Sequence, residues 1–320
     1  MKEKSSPWFL TTREIAVARA ISNANGSTIG GLSSITGKSE SSVSQTVKGL
    51  EKKGFITSRK EGLNKFIHIS GRNYALSFSD LLKAEPLIPW EKLISNSSMP
   101  ILLKKATGED SFEHGISSTS SWRAIRNLSS HGLINYRSDD KAIPDSYLLR
   151  FIAEYSEHVS RTFFLNLLPR DAVIIWRSGF RCLFRLNDPT GEEMKNIPRG
   201  ALPTALSVYP EYGIQFLTSD SYYYYEPELS GLTLEDAILH TLLIGQESQT
   251  YITYAMLLAL KTKENADFTL FKSKSQRYGL AKLVNSTASY ISSRGKNKKW
   301  PFPEWKEFRE QAQMYGIVVD

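Results

Sequence analysis

The clearest periodic pattern in the chain lies between Ser39 and Phe55, where apolar Val43, Val47 and Leu50 recur at i, i+4 and i+7. At 100° per residue these three fall within about 60° of one another, the stripe of a helix docked on a small core. Ser41, Gln45, Lys48 and Lys52 fall on the opposite side. Such a face offers groups that hydrogen-bond phosphates and base edges, where a merely solvated face usually carries more Glu. Ser39 can cap the N-terminus, and Gly54 stands where helices commonly end in a left-handed residue. Upstream, Thr11 and Glu14 have capping-box spacing ahead of Ile15, Val17, Ala18 and Ile21, which predicts a helix over 12–22. Ile29, Leu32 and Ile35 predict a short helix over 28–36, and Gly37-Lys38 turns it into the next. Downstream, Phe55-Ile56-Thr57 and Phe66-Ile67-His68-Ile69 flank the polar loop 58–65 and read as a hairpin with a basic tip.

The same pattern returns 78 residues later. Aligning Gly54-Phe55-Ile56 with Gly132-Leu133-Ile134 lays Ser117 over Ser39, Arg123 over Gln45, Ile125 over Val47, Arg126 over Lys48 and Leu128 over Leu50, without a gap. A second, diverged module is therefore expected, with helices over 90–95, 99–106 and 117–131 and a hairpin over 133–148. Its polar face offers Thr119, Arg123 and Arg126, but its hairpin tip reads SDDKAIPD, which repels phosphate. Either its helix alone contacts nucleic acid, or the copy has become a packing or dimerisation module.

After a linking helix over 151–168 the pattern changes. The run AVIIWRSGFRCLFRL, 172–186, predicts two strands around Ser178-Gly179, followed by a Pro/Gly-rich loop over 187–200. Further strands are expected over 206–209, 214–217 and 222–225, and helices over 234–244, 252–261, 270–278, 280–292 and 304–315. The fold class is α+β: tandem winged helix-turn-helix domains (1–80 and 81–150), then a C-terminal domain of small sheet plus helices (151–320).

Charge sharpens this division. Residues 1–80 carry 12 Lys/Arg against 6 Asp/Glu, residues 81–150 carry 9 against 8, and residues 151–320 carry 19 against 19. Nearly all of the net +7 thus sits in the first quarter, as a phosphate-contacting module requires. No basic amphipathic helix with exposed aromatics accompanies it, so a membrane partner is not expected. The longest apolar run, 251–260, is too short to span a bilayer, no signal pattern opens the chain, and the single Cys182 fits a reducing compartment. A cytoplasmic location is expected.

Through "SSVSQTVKGLEKKGFITSRK" and the hairpin after it, residues 10–70 resemble the winged helix of MarR-type transcription regulators. The resemblance implies that the helix around Ser41, Ser42, Ser44, Gln45, Lys48 and Lys52 enters the major groove of double-stranded DNA. It also implies that wing residues Arg59, Lys60 and Lys65 reach the backbone or the minor groove. In the second module Arg123 and Arg126 are the corresponding candidates. Through "LTLEDAILHTLL", "YITYAMLLALK" and "RYGLAKLVNSTASYI", the C-terminal region resembles the nucleotidyltransferase-like domain of abortive-infection-type antitoxins. Active members of that fold follow a Gly-Ser turn with an Asp-x-Asp pair to hold metal ions. Here Ser178-Gly179 is followed by Asp188-Pro189-Thr190, a single acid, and the nearest pair, Glu226-Pro227-Glu228, is broken by proline.

The five histidines, at 68, 114, 131, 158 and 240, are scattered, and no phosphate-cradling glycine motif occurs. No catalytic residue, metal or cofactor is expected. The favoured reading is a non-enzymatic, sequence-specific DNA-binding transcription regulator, dimeric on a two-fold operator. The alternative is an antitoxin-like or scaffold protein whose C-terminal domain binds a protein partner, with DNA binding kept for autoregulation.

Overall fold

A computed structural model of the chain describes residues 9–62, 64–113, 115–135, 143–187, 196–262, 268–297 and 299–319. The chain divides into two compact units, Met1–Phe163 and Phe164–Asp320. Among the described residues no helix is long and apolar enough to cross a membrane.

The first unit opens with α1 (Thr12–Ala24), α2 (Ile29–Thr36) and α3 (Glu40–Lys52). The expected capping box is present at α1, where Thr11 and Glu14 bond each other's backbone N–H. Ser39 Oγ accepts from Ser42 N at 3.3 Å to start α3. Strands β1 (Ile56–Glu61) and β2 (Asn64–Ile69) form the antiparallel wing, and its base is tied to the α1–α2 turn by reciprocal Ser27–Ile67 backbone bonds of 3.0 and 2.8 Å. In α2, Leu32 is buried but Ile35 is 59% exposed, so that helix docks through less of its apolar set than its spacing suggests. Helix α4 (Asn73–Ala84) follows where the sequence showed no cap. Its Tyr74 and Phe78 meet Phe55 at the foot of the wing, with ring centroids 5.1 and 5.3 Å away.

Helices α5 (Trp90–Leu93), α6 (Ser98–Thr107) and α7 (Ser118–Ser130) then form the second half of this unit. α7 and α3 have the same length and lie 78 residues apart. Their ends repeat as well: Ser117 caps α7 through Ser120 N, and Gly132, at φ 72°, matches Gly54 at φ 75°. Leu133 N donates to Leu128 O as Phe55 N does to Leu50 O, each at 3.0 Å. The expected second hairpin does not extend to Leu148. Helix α8 (Ser146–Leu167) begins first, because Asp145, read from sequence as part of an acidic wing, accepts from Leu148 N at 2.8 Å and caps it. Residues 133–135 form no strand, and 136–142 lie outside the described residues, as do Met1 to Trp8.

The second unit carries a four-stranded antiparallel sheet in the order β3 (Val173–Ser178), β4 (Arg181–Asn187), β6 (Asp220–Tyr225), β5 (Ala201–Pro203). Leu183, Tyr222 and Tyr224 on one sheet face pack on Ile238, Leu239 and Leu242 of α9 (Leu234–Ile244) and on Ile252 and Met256 of α10 (Gln249–Lys261). Helices α11 (Phe268–Arg277), α12 (Ala281–Ser292) and α13 (Trp305–Met314) complete the unit. Two expected strands are absent. Residues 205–212 form a 3-10 turn that drives Leu206 and Tyr209 into the core, and 214–217 are irregular. Short apolar runs do not distinguish strand from other buried segments. In β6, Tyr222, Tyr223 and Tyr224 are all buried, and Tyr223 stacks on Phe184. Cys182 is buried in β4, and burial pushes its thiol pKa up, the opposite of a reactive cysteine.

His240 lies fully buried in the second unit, its Nδ1 2.7 Å from Thr204 Oγ1 and its Nε2 2.9 Å from Tyr278 OH. Burial lowers its pKa to about 3, and burial with the nearby Arg72 charge lowers His158, in the first unit, to about 4. The unfolded chain therefore binds a proton at each site that the folded chain refuses. Their contribution is intact above the ordinary histidine pKa and is lost as pH falls from there toward the folded values, by about 1.4 kcal/mol per pH unit per histidine. His240→Gln is expected to remove about one proton from the pH dependence of urea unfolding between about pH 6 and pH 4; an unchanged slope would show that another group titrates.

Candidate nucleic-acid interface

Helix α3 is held as a presentation surface by its two ends. At the N-terminus, the α2–α3 turn passes through Gly37 at φ 64°, bolted by Ser33 Oγ donating to Lys38 O at 2.6 Å. At the C-terminus, Lys53 Nζ donates to Phe9 O at 2.6 Å and to Glu14 Oε2 at 2.7 Å, tying α3 to the start of α1. Val43, Val47 and Leu50 are buried. Opposite them, Ser41, Gln45, Lys48 and Lys52 are exposed in one stripe at i, i+4, i+7 and i+11. Ser42 and Ser44 are half-buried on its two flanks. The helix's carboxylates, Glu40 and Glu51, lie off the stripe, about 60–120° round the helix from it.

The wing residues divide by register. Lys60 pairs with Lys65, on the face that carries buried Ile56 and Ile67 nearer the base, whereas Arg59 pairs with Phe66 on the other face. Two lysines directly opposite each other repel, and a polyanion between or beside them relieves that repulsion. Lys48, Lys52, Arg59, Lys60 and Lys65 make no ion pair among the described residues, in contrast to Lys53. The side chains of Ser41, Ser42, Ser44 and Gln45 likewise have no intramolecular hydrogen bond there, so their donors and acceptors are available to a ligand.

Sequence reasoning missed two neighbours. Arg13, exposed near the start of α1, lines with Gln45 and Ser42 a shallow depression of about 500 Å³. Its separation from the α3 stripe in sequence hid it. Trp122 of α7, 49% exposed, carries the Arg126 guanidinium 5.4 Å from its ring centroid, while Arg123 stands exposed one residue on. The sequence offered Thr119, Arg123 and Arg126 on this helix and gave no part to Trp122.

In the second unit three carboxylates, two beside the sheet and one on α9, are committed to cations. Asp220 takes Arg185 through both oxygens at 2.7 and 2.6 Å, Glu226 takes Arg181 at 2.7 Å and Tyr224 OH at 3.1 Å, and Asp236 takes Lys274 at 2.6 Å. Asp188 lies outside the described residues. Among the described residues no three His, Cys, Asp or Glu side chains gather as a metal site.

Helix, helix, turn, helix and wing, with the exposed stripe outward, define a winged helix-turn-helix. Residues 10–65 match the model of the MarR family, so the N-terminal region is MarR-like. Residues 201–317 match the model of a C-terminal domain family, HVO_2833_C. No curated protein and no solved structure matches the chain.

One glycine sets the spacing of the interface. A Cβ at Gly49 would stand 2.7 Å from Glu14 Oε1, whose carboxylate is already fixed by Thr11 N and Lys53. Alanine raises intrinsic helix propensity by about 1 kcal/mol, but displacing an anchored, buried carboxylate costs more. Gly49→Ala is expected to lower the stability of the first unit by about 1–2 kcal/mol in urea titration; a gain would mean that α1 and α3 are not in such close contact.

Proposed function

We propose that the protein is a sequence-specific DNA-binding transcription regulator. α3 lies in the major groove with Ser41, Ser42, Ser44 and Gln45 toward base edges, while Lys48 and Lys52 take phosphates. Lys60 and Lys65 grip the backbone from one face of the wing, and Arg59 reaches from the other. Arg13 adds a phosphate contact beside Gln45. The observation that carries the reading is the exposed, unpaired stripe of α3, free of carboxylates and backed by the buried stripe.

For the second module, the exposed Trp122 with Arg126 over its ring favours a protein contact, since Trp and Arg dominate the energetics of interfaces. We read α7 as a dimerisation surface that sets two α3 helices on a two-fold operator, and Arg123 and Arg126 as belonging to it. The C-terminal unit senses a signal or binds a partner, without catalysis.

The test is fluorescence anisotropy on a labelled random-sequence duplex across a salt series. The intact protein should lose affinity steeply as salt rises, and Lys48→Ala with Arg59→Ala should weaken binding and reduce the log–log slope by about 2. Selection from a random duplex pool should then enrich one sequence for the intact protein. Absence of duplex binding at low salt would overturn the regulator reading in favour of an antitoxin-like or scaffold role.

A further inference from the structure

A groove of about 1300 Å³ in the second unit lies between α12 and the residues Lys296, Asn297 and Lys299–Phe302. One wall is a polar stripe of α12: Lys282, Asn285 and Ser286, at i, i+3 and i+4, are exposed, while Tyr290 of the same helix is buried against Phe302 and Trp305. The other wall brings Lys296 and Lys299, both exposed, and ends in Trp300, which is 76% exposed. Among the described residues no carboxylate lines the groove, and none of its three lysines makes an ion pair. This differs from the sheet and α9 of the same unit, where Asp220, Glu226 and Asp236 each hold a cation.

Three features select a ligand class. The unpaired lysines call for an anion with charge repeated along the groove. The volume exceeds that of an ordinary small-molecule pocket, about 300–1,000 Å³, and the walls are open, which suits a strand running through and not an enclosed metabolite. An exposed tryptophan beside amides and hydroxyls offers a stacking platform with hydrogen-bonding neighbours. A duplex keeps its base faces stacked inside, whereas a single strand presents them. A membrane headgroup layer would satisfy the lysines but leave the amide-lined wall without a purpose, and one tryptophan provides too little apolar surface to insert.

From these observations we infer that the groove between α12 and the residues Lys296, Asn297 and Lys299–Phe302 is a single-stranded nucleic-acid site, with Lys282, Lys296 and Lys299 on backbone phosphates and a base stacked on Trp300. It is separate from the α3 surface and does not depend on that surface binding duplex.

The experiment uses the full chain and fluorescein-labelled oligo-dT and oligo-U of about 12 nucleotides, a length within the site size of comparable grooves, titrated at low and moderate salt. Both strands should bind, with affinity falling as salt rises, and the ratio between them reports whether the groove prefers DNA or RNA. Lys296→Glu with Lys299→Glu should weaken binding at least about tenfold. Trp300→Ala should weaken it about five- to tenfold with little change in salt slope, as loss of a stacking contact does. Lys48→Ala with Arg59→Ala should leave it unchanged. Retained urea stability of the groove variants, all at exposed positions, checks that they fold. Three results would overturn the inference: no single-strand binding by the intact chain at low salt; binding lost in the α3 and wing variant and kept in the groove variants; or charge reversal effective while Trp300→Ala is silent and unlabelled duplex competes as well as single strand, which would make the groove a general polyanion surface.

Discussion

The orientation of the α3 surface hangs on one buried ion pair. Glu14 Oε2 accepts from Thr11 N and from Lys53 Nζ, both at 2.7 Å, and Lys53 donates in turn to Phe9 O. The two side chains are only 8% and 16% exposed. A pair this dry gains little net stability over an apolar contact of equal volume, because desolvation offsets most of the Coulomb attraction. Its effect is geometric. A carboxylate that must satisfy the α1 cap, the Lys53 ammonium and the space above Gly49 has one position, and removing one partner strands the other charge at a cost of about 3–5 kcal/mol. The N-terminus of α1 and the C-terminus of α3 are thereby fixed against each other, and the stripe from Ser41 to Lys52 points where that contact sends it.

The chain leaves this junction through Gly54, whose left-handed φ of 75° ends α3 and lets Phe55 drop into the aromatic cluster with Tyr74, Phe78, Phe151 and Tyr155. Ser70 Oγ closes the far end of the wing on Gly54 O at 2.6 Å. Helix end, wing base and core thus share one turn of backbone. The second module keeps the turn, with Gly132 and the Leu133–Leu128 bond, and α8 starts at Ser146. The helix and its exit repeat between the two halves as far as Ile56 and Ile134.

Much of this was legible in the sequence, and the reason differs by element. Helices with a side-chain cap or a sustained 3.6-residue period, such as α1, α3, α7 and α9, are read almost to the residue because a local bond marks their start. Helix α4 has no cap bond from its N-cap residue Arg72 and holds buried Ser77 and Ser79 among its apolar positions, so nothing local announced it. The runs at 206–209 and 214–217 were apolar for the sake of the core and not of a sheet, a distinction that lies in tertiary contacts. The exposed stripe of α3 was readable by period alone. The split of Arg59 from Lys60 and Lys65 required the strand register, and the place of Arg13 beside Gln45 required the packing of α1 on α3.

How charge is used separates architecture from surface in both units. Lys53, Arg181, Arg185 and Lys274 hold carboxylates at 2.6–2.7 Å, and those groups join strands and helices. Lys48, Lys52, Lys60 and Lys65 in one unit, and Lys282, Lys296 and Lys299 in the other, hold none among the described residues. They are exposed, so in the absence of an anion they contribute little to the fold and add to self-repulsion. In a sequence with as many acids as bases over 151–320, leaving three neighbouring lysines unpaired is a matter of placement, not of composition. The residues that ask for an external partner are the ones the fold has declined to neutralise.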